Sequence, residues 1–122
     1  MSLMSYDIPV MSQQQVLREP DLNAMGLLFQ ALSNESRVRM LNLLRKGPRT
    51  VGEISEALKL EQTVISHNLR CLAFCGLVSA EQIGKTREYS VNRETVEPLF
   101  VAGGRHIARY ASNLRTCESL ER

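Results

Sequence analysis

Three cysteines carry most of the chemistry available to this chain. Cys71 and Cys75 stand four residues apart in SHNLRCLAFCGLV, Ser66 to Val78, and Cys117 lies far downstream in the polar tail TCESLER. Residues at that spacing on a helix hold their Cβ atoms about 5–6 Å apart, whereas a disulfide wants about 3.8 Å. An internal bridge is therefore disfavoured, and an odd cysteine count also argues against a disulfide framework. Two thiolates one turn apart can instead turn toward one soft cation, with bonds of about 2.3 Å for zinc and longer for larger ions. Two ligands are too few for such an ion. Cys117 is the candidate third, and His67, one turn before Cys71, is a weaker one. The competing reading is plain packing, because each cysteine taken singly is also a good small hydrophobe.

A second kind of chemistry shares the same segment. At about 100° per residue, with Ile65, Leu69 and Leu72 defining the inward direction, Thr63, Ser66, His67 and Arg70 fall on the opposite face. Short hydroxyls, an imidazole and a guanidinium can reach bases or phosphates, and Arg70 can make a bidentate contact to guanine. Lys85 and Arg87 sit near the tip of an expected hairpin, where they would contact the DNA backbone or minor groove in a salt-dependent way. Residue by residue, a solvated polar face explains these side chains equally well. Cys71 and Cys75 project onto the shoulder of the helix beside Val64, neither at the centre of the core face nor on the polar face.

The elements that must position these groups are legible along the chain. DLNAMGLLFQALS, from Asp21, places Leu22, Met25, Leu28 and Leu32 at helical spacing after Pro20. A second helix is capped by Asn34, buries Val38, Met40, Leu41 and Leu44, and stops at Gly47 and Pro48. Thr50 and Glu53 have capping-box spacing ahead of a short third helix that buries Val51, Ile54 and Leu58. The fourth helix holds the thiols and ends at Gly76. LVSAEQI and TREYSV read as strands joined at Gly84 and Lys85, with glycine first as a type II′ turn requires. Val96, Phe100, Gly103, Ile107, Tyr110 and Leu114 then mark a long terminal helix, weakened at Gly103 and Gly104 by about 1 kcal/mol per glycine.

This order predicts a mainly helical α+β fold, a winged helix-turn-helix with a two-stranded wing and terminal dimerisation helices. Residues 1–20 read as a tail, flexible or in part appended, 21–92 as the DNA-binding domain, and 93–122 as the dimerisation helix and its tail. With 122 residues, 43% of them hydrophobic, the chain suits one ordinary core. Its formal charge of +2 decides nothing about nucleic acid. No apolar run reaches the roughly 18 residues that span a bilayer, so a cytoplasmic protein without a membrane partner is expected. No Ser/His/Asp set, paired carboxylates or phosphate loop appears, so an enzyme is not expected.

The blocks ALSNESRVRMLNLL, VGEISEAL, VISHNLRCLAFCGLV and GKTREYSV occur in order across roughly residues 27–91 and resemble the ArsR/SmtB family of winged-helix metal sensors. That resemblance implies a homodimeric repressor that binds operator DNA and lets go when an inducer binds. The family's frequent Ser-x-His-Leu appears here as Ser66-His67-Asn68-Leu69. Cys-Leu-x-x-Cys-Gly-Leu-Val plus one downstream cysteine is similar to the cadmium and lead sensing, CmtR-type branch. By that similarity Cys71, Cys75 and Cys117 are ligands for a thiophilic divalent ion such as cadmium or lead, with zinc as another candidate. VGEISEAL holds no cysteine, so the family's arsenic motif is absent, and its Asp and His zinc pattern is not seen along the last helix. The alternatives are thiols that sense arsenite, sulfide or oxidants, purely structural thiols, or a winged helix that binds protein instead of DNA.

Overall fold

The computed structural model describes residues 17–120. The tail expected over residues 1–20 lies largely outside the described residues. Two compact units meet between Gln30 and Ala31. The first is represented by most of helix α1 (Glu19–Leu32), which begins ahead of Pro20 because proline is tolerated in a first turn, where the amide has no intrahelical partner. Its stripe is poorly covered, with Leu22, Leu27 and Phe29 each about half exposed or more.

The second unit contains α2 (Glu35–Leu44), β1 (Arg49–Thr50), α3 (Val51–Leu58), α4 (Gln62–Phe74), β2 (Val78–Ile83), β3 (Thr86–Val91), α5 (Arg93–Thr116) and a final 3-10 turn, Glu118–Leu120. The antiparallel sheet has the order β1-β3-β2, with Val78 opposite Val91 and Arg49 opposite Tyr89. The wing thus gains a third strand that its sequence does not advertise. A helix-capping residue takes extended backbone, and Thr50 does so at φ −84°, ψ 166°. The two residues before α3 are thereby left straight enough to pair with β3, although two residues are too few to show alternation.

Local chemistry sets the element ends. The Asn34 side chain accepts the Arg37 amide at 3.1 Å. The Thr50 hydroxyl accepts the Glu53 amide at 3.2 Å while the Glu53 carboxylate accepts the Thr50 amide at 2.9 Å. α3 closes on Lys59 in the left-handed region, φ 59°, and the Ser55 hydroxyl reaches across the turn to the Leu60 carbonyl. α4 ends on Gly76, φ 82°, where the Leu77 amide bonds back to Leu72 and the Gly76 amide to Ala73. This paired return satisfies carbonyls that a helix end otherwise leaves bare. At the wing tip Gly84 takes φ 61° and Lys85 stays at negative φ, the geometry of a type II′ turn.

The core is formed by Met40, Leu41 and Leu44 of α2, Ile54 of α3, Ile65, Leu69 and Leu72 of α4, Leu77 and Val78 entering the wing, and Val96 of α5. Three residues expected inside are less so: Val38 is 38% exposed, and Val51 and Leu58 are half-buried. Each opens or closes its helical face, where the neighbouring element covers only part of the stripe. On α5 only Val96 is fully buried, and Ile107, Tyr110 and Leu114 stay exposed. Gly103 and Gly104 keep helical geometry, since glycine's cost is entropic and demands no bend. The departure comes instead at Tyr110, φ −120°, ψ 15°, in the exposed half of the helix.

Candidate nucleic-acid interface and thiol edge

α4 divides into three strips. Its inner strip is the aliphatic set Ile65, Leu69 and Leu72, each with no exposed surface. Its outer strip carries Thr63, His67 and Arg70, all exposed, with Ser66 half-buried at the margin. Arg70 makes no ion pair among the described residues, so its guanidinium is free for an external acceptor. The N-cap, Glu61, supplies no side-chain bond, which leaves first-turn amides of α4 without that partner, and these are groups that suit a phosphate. Phe74, at the end of the same outer strip, is 93% exposed.

The wing adds two more free cations. Lys85 occupies the turn and Arg87 follows on β3, both exposed and without an ion pair among the described residues. The tip is tied by Gln82 donating to the Gly84 carbonyl at 3.1 Å and the Thr86 hydroxyl donating to Ile83 at 3.0 Å. A charged tip held by short local bonds matches what backbone contact needs, a positioned cation with little sequence information.

The third strip is an edge holding Val64, Asn68 and Cys71, continued by Cys75 at the C-cap, at spacings of four, three and four residues. Cys71 is half-buried, Cys75 is exposed, and Cys117, at the end of α5, is half-buried; all three thiols are free. Among the described residues no group of three His, Cys, Asp or Glu side chains is gathered closely enough to hold a metal. Cys71 lies in the last turns of α4 and Cys75 is its C-cap, so within one chain the three thiols do not form a three-ligand cluster. His67, weighed as a substitute ligand, faces outward with Arg70, and His106 lies against the Tyr110 ring with centroids 4.6 Å apart.

Asn68 was not singled out by its sequence context, yet it is the buried polar side chain of the described core, 6% exposed. Its carbonyl accepts Arg37 Nε at 2.9 Å and its amide donates to the Val64 carbonyl at 3.0 Å. The displaced order His67-Asn68 thus puts the imidazole outside and the amide inside. A polar residue adjoining an apolar inward stripe was the available signal, because such a group must find a partner when buried.

α5 is anchored to α2 at its start. Arg45 forms a two-pronged bond with Glu97, 3.0 and 2.9 Å, and its guanidinium lies 4.6 Å from the centroid of Phe100. The hydrogen bonds from Arg45 hold the Glu97 carboxyl below its usual range, and the same contact raises Arg45. Farther along, Val38, Leu41, Phe100, Gly103 and Ile107 help line an apolar cavity of about 310 Å³. A Cβ placed on Gly103 or Gly104 would meet nothing within 4 Å, so the glycines leave open space on this face.

Comparison with known proteins agrees with this geometry. The sequence model described as "Bacterial regulatory protein, arsR family" matches residues 34–80, from the cap of α2 into β2. The chain is 42% identical over 63 residues to the HTH-type transcriptional regulator NmtR of Mycobacterium tuberculosis, an alignment that spans 52% of each protein. It is 35% identical over 98 residues to a probable mercury resistance operon repressor of Streptomyces lividans, covering 80% of this chain and 77% of that one. Among solved structures, the homodimeric winged helix-turn-helix DNA-binding domain Mb0332 of Mycobacterium bovis superposes with a TM-score of 0.66 at 32% identity, covering 82% of this chain and 93% of that one. The match lies on the helix-turn-helix and extends through most of the Streptomyces repressor: the chain belongs to the ArsR family of bacterial regulatory proteins and is a winged helix-turn-helix transcriptional regulator, not an enzyme.

Proposed function

We propose that this regulator is a homodimeric repressor that holds operator DNA with α4 and the wing and releases it when a thiophilic divalent ion of the cadmium or lead type binds. The carrying observation is that α4 bears an outward strip with an unpaired Arg70 beside an edge with two free thiols. The donor chemistry fits a soft cation, since three cysteines offer three thiolates. Because no three-ligand group is gathered among the described residues of one chain, this reading takes the third ligand as Cys117 of the partner subunit. The mercury resistance repressor of Streptomyces lividans and the homodimeric Mycobacterium bovis domain support the inducer class and the assembly.

Cys71, Cys75 and a third thiolate would hold the ion, which would supply a strong bond to each sulfur. Cys71 shares α4 with Ser66 and Arg70 and Cys75 caps it, so a shift of this helix on loading would carry Ser66 and Arg70 with it. Ligand and DNA then compete for the orientation of one helix, and about 1.4 kcal/mol of coupling gives a tenfold change in affinity.

The test is a cadmium titration of reduced protein, read by sulfur-to-metal charge-transfer absorbance and by anisotropy of a duplex enriched from a randomised pool. Absorbance should rise and be lost in Cys71→Ser and Cys75→Ser, and duplex affinity should fall at least tenfold with cadmium in wild type but not in Cys117→Ser. Equal duplex affinity with and without saturating cadmium, lead, mercury or zinc rules the reading out. A second reading, thiols that respond to arsenite, sulfide or oxidants, is favoured by the exposure of Cys75. It predicts DNA release by those agents and no release by divalent ions.

A further inference from the structure

The aliphatic inner strip of α4, Ile65, Leu69 and Leu72, sets which face of the helix turns inward, and a directional bond can fix its rotation more finely than this packing does. Hydrogen bonds are directional. Among the described residues α4 has one such connection across the core, the bond from Arg37 Nε to Asn68 Oδ1, linking residues 31 apart in the chain. Arg37 is itself held from two other sides. Its amide donates to the Asn34 side chain at 3.1 Å, and its Nη1 donates to the Ala31 carbonyl at 3.1 Å. Asn68 is held in turn through its own amide on Val64.

We infer that Arg37 and Asn68 form a pin that fixes the rotation of α4 about its axis, making both of them positioning residues for the DNA-reading face. The inference rests on the assignment of that face to DNA. Its geometric basis is leverage. Side-chain heads lie roughly 6 Å from a helix axis, so a rotation of about 20° moves them about 2 Å, which exceeds the tolerance of a hydrogen bond to a base edge. Asn68 stands two residues from both Ser66 and Arg70, on the edge that also bears Cys71 and Cys75. The pin therefore lies between the thiol edge and the body of the domain, where a change at the thiols must act against it.

The experiment separates register from stability. Asn68→Leu strands the Arg37 donor and is expected to lower the denaturation midpoint. The double variant Arg37→Met with Asn68→Leu removes both partners of this bond together, which is often close to neutral for stability, and besides it costs the Arg37 bond to the Ala31 carbonyl and the Asn68 bond to the Val64 carbonyl. With the pin as inferred, the double variant melts near wild type. It still binds a duplex enriched from a randomised pool about tenfold or more weakly, while its affinity for a random-sequence duplex is unchanged. Asn68→His retains an acceptor and a donor at the same place and should recover most of the specific affinity. Wild-type discrimination between the two duplexes in the double variant overturns the inference. So does an Asn68→His loss as large as that of Asn68→Leu, which decides the matter even if the double variant folds poorly. Arg70→Ala is the control: if it leaves enriched-duplex binding unchanged, the DNA-face assignment falls, and if it weakens binding while the double variant does not, the pin alone falls.

Discussion

Charge pairing at the level of single residues makes a pH prediction. Glu97 accepts from Arg45 through both oxygens, and those bonds hold its carboxyl below the usual 4.5. A carboxyl with a lowered folded pKa binds protons less readily folded than unfolded, so its stabilisation is fully present above the usual value. It is lost as pH falls below 4.5 through the lowered folded value. Arg45 remains charged across that window. Glu97→Gln should therefore flatten that part of the stability curve on the acid side of pH 4.5 and change little in shape near neutrality. Denaturant midpoints measured from pH 3 to 7 check this; an unchanged acid slope in the variant removes Glu97 from the account. The neighbouring residues His67 and Asn68 make a related point, because adjacent polar side chains on one helix meet different fates, one in solvent and one on Arg37.

Each helix that builds the reading motif is bounded by a device confined to a few residues. The reciprocal Thr50 and Glu53 bonds start α3, and the paired return through Gly76 ends α4 and launches β2. Thr50→Ala should cost about 1 kcal/mol, the usual loss for an N-cap hydroxyl. Gly76→Ala should cost about 1 kcal/mol as well, because φ 82° is poorly tolerated once a Cβ is present. Space is not the obstacle there, since an added Cβ meets nothing within 4 Å. Urea unfolding measures both, and a Gly76→Ala protein as stable as wild type would show that the turn relaxes without strain. These devices were readable in advance, Asn34, Thr50 with Glu53, Gly76 and Gly84 among them, because a cap or tight turn involves residues no more than a few positions apart.

Considered whole, the molecule leaves apolar surface that one chain does not bury. Ile107 is 50% exposed, Val101 42%, and Tyr110 and Leu114 41% each, along a helix whose glycines border an apolar cavity. Exposed apolar side chains recurring along one helix suit an interaction face, and the proposed occupant is a second copy of the chain. Ile107→Asp places a charge on that face at a half-exposed position that is not itself part of the buried core. It should shift the protein from two chains to one in sedimentation equilibrium and leave its helical circular dichroism intact. Duplex affinity should drop with it, because two linked reading helices address half-sites about one DNA turn apart. A variant that stays dimeric would place the interface elsewhere.

By itself the sequence determined the helix order, the caps, the type II′ wing tip, the inward strip Ile65, Leu69 and Leu72, and the outward strip through Arg70. All of these follow from periodicity or from bonds between near neighbours, which the local chain must satisfy however it packs. Tertiary structure alone decided that Arg49–Thr50 pairs with β3, that Asn68 is buried on Arg37, and that Val38 is only partly covered. It also decided that the three thiols of one chain do not gather into a three-ligand cluster. Each depends on which surface meets which across tens of residues, and that information resides in the packing of elements and in no single stretch of the chain.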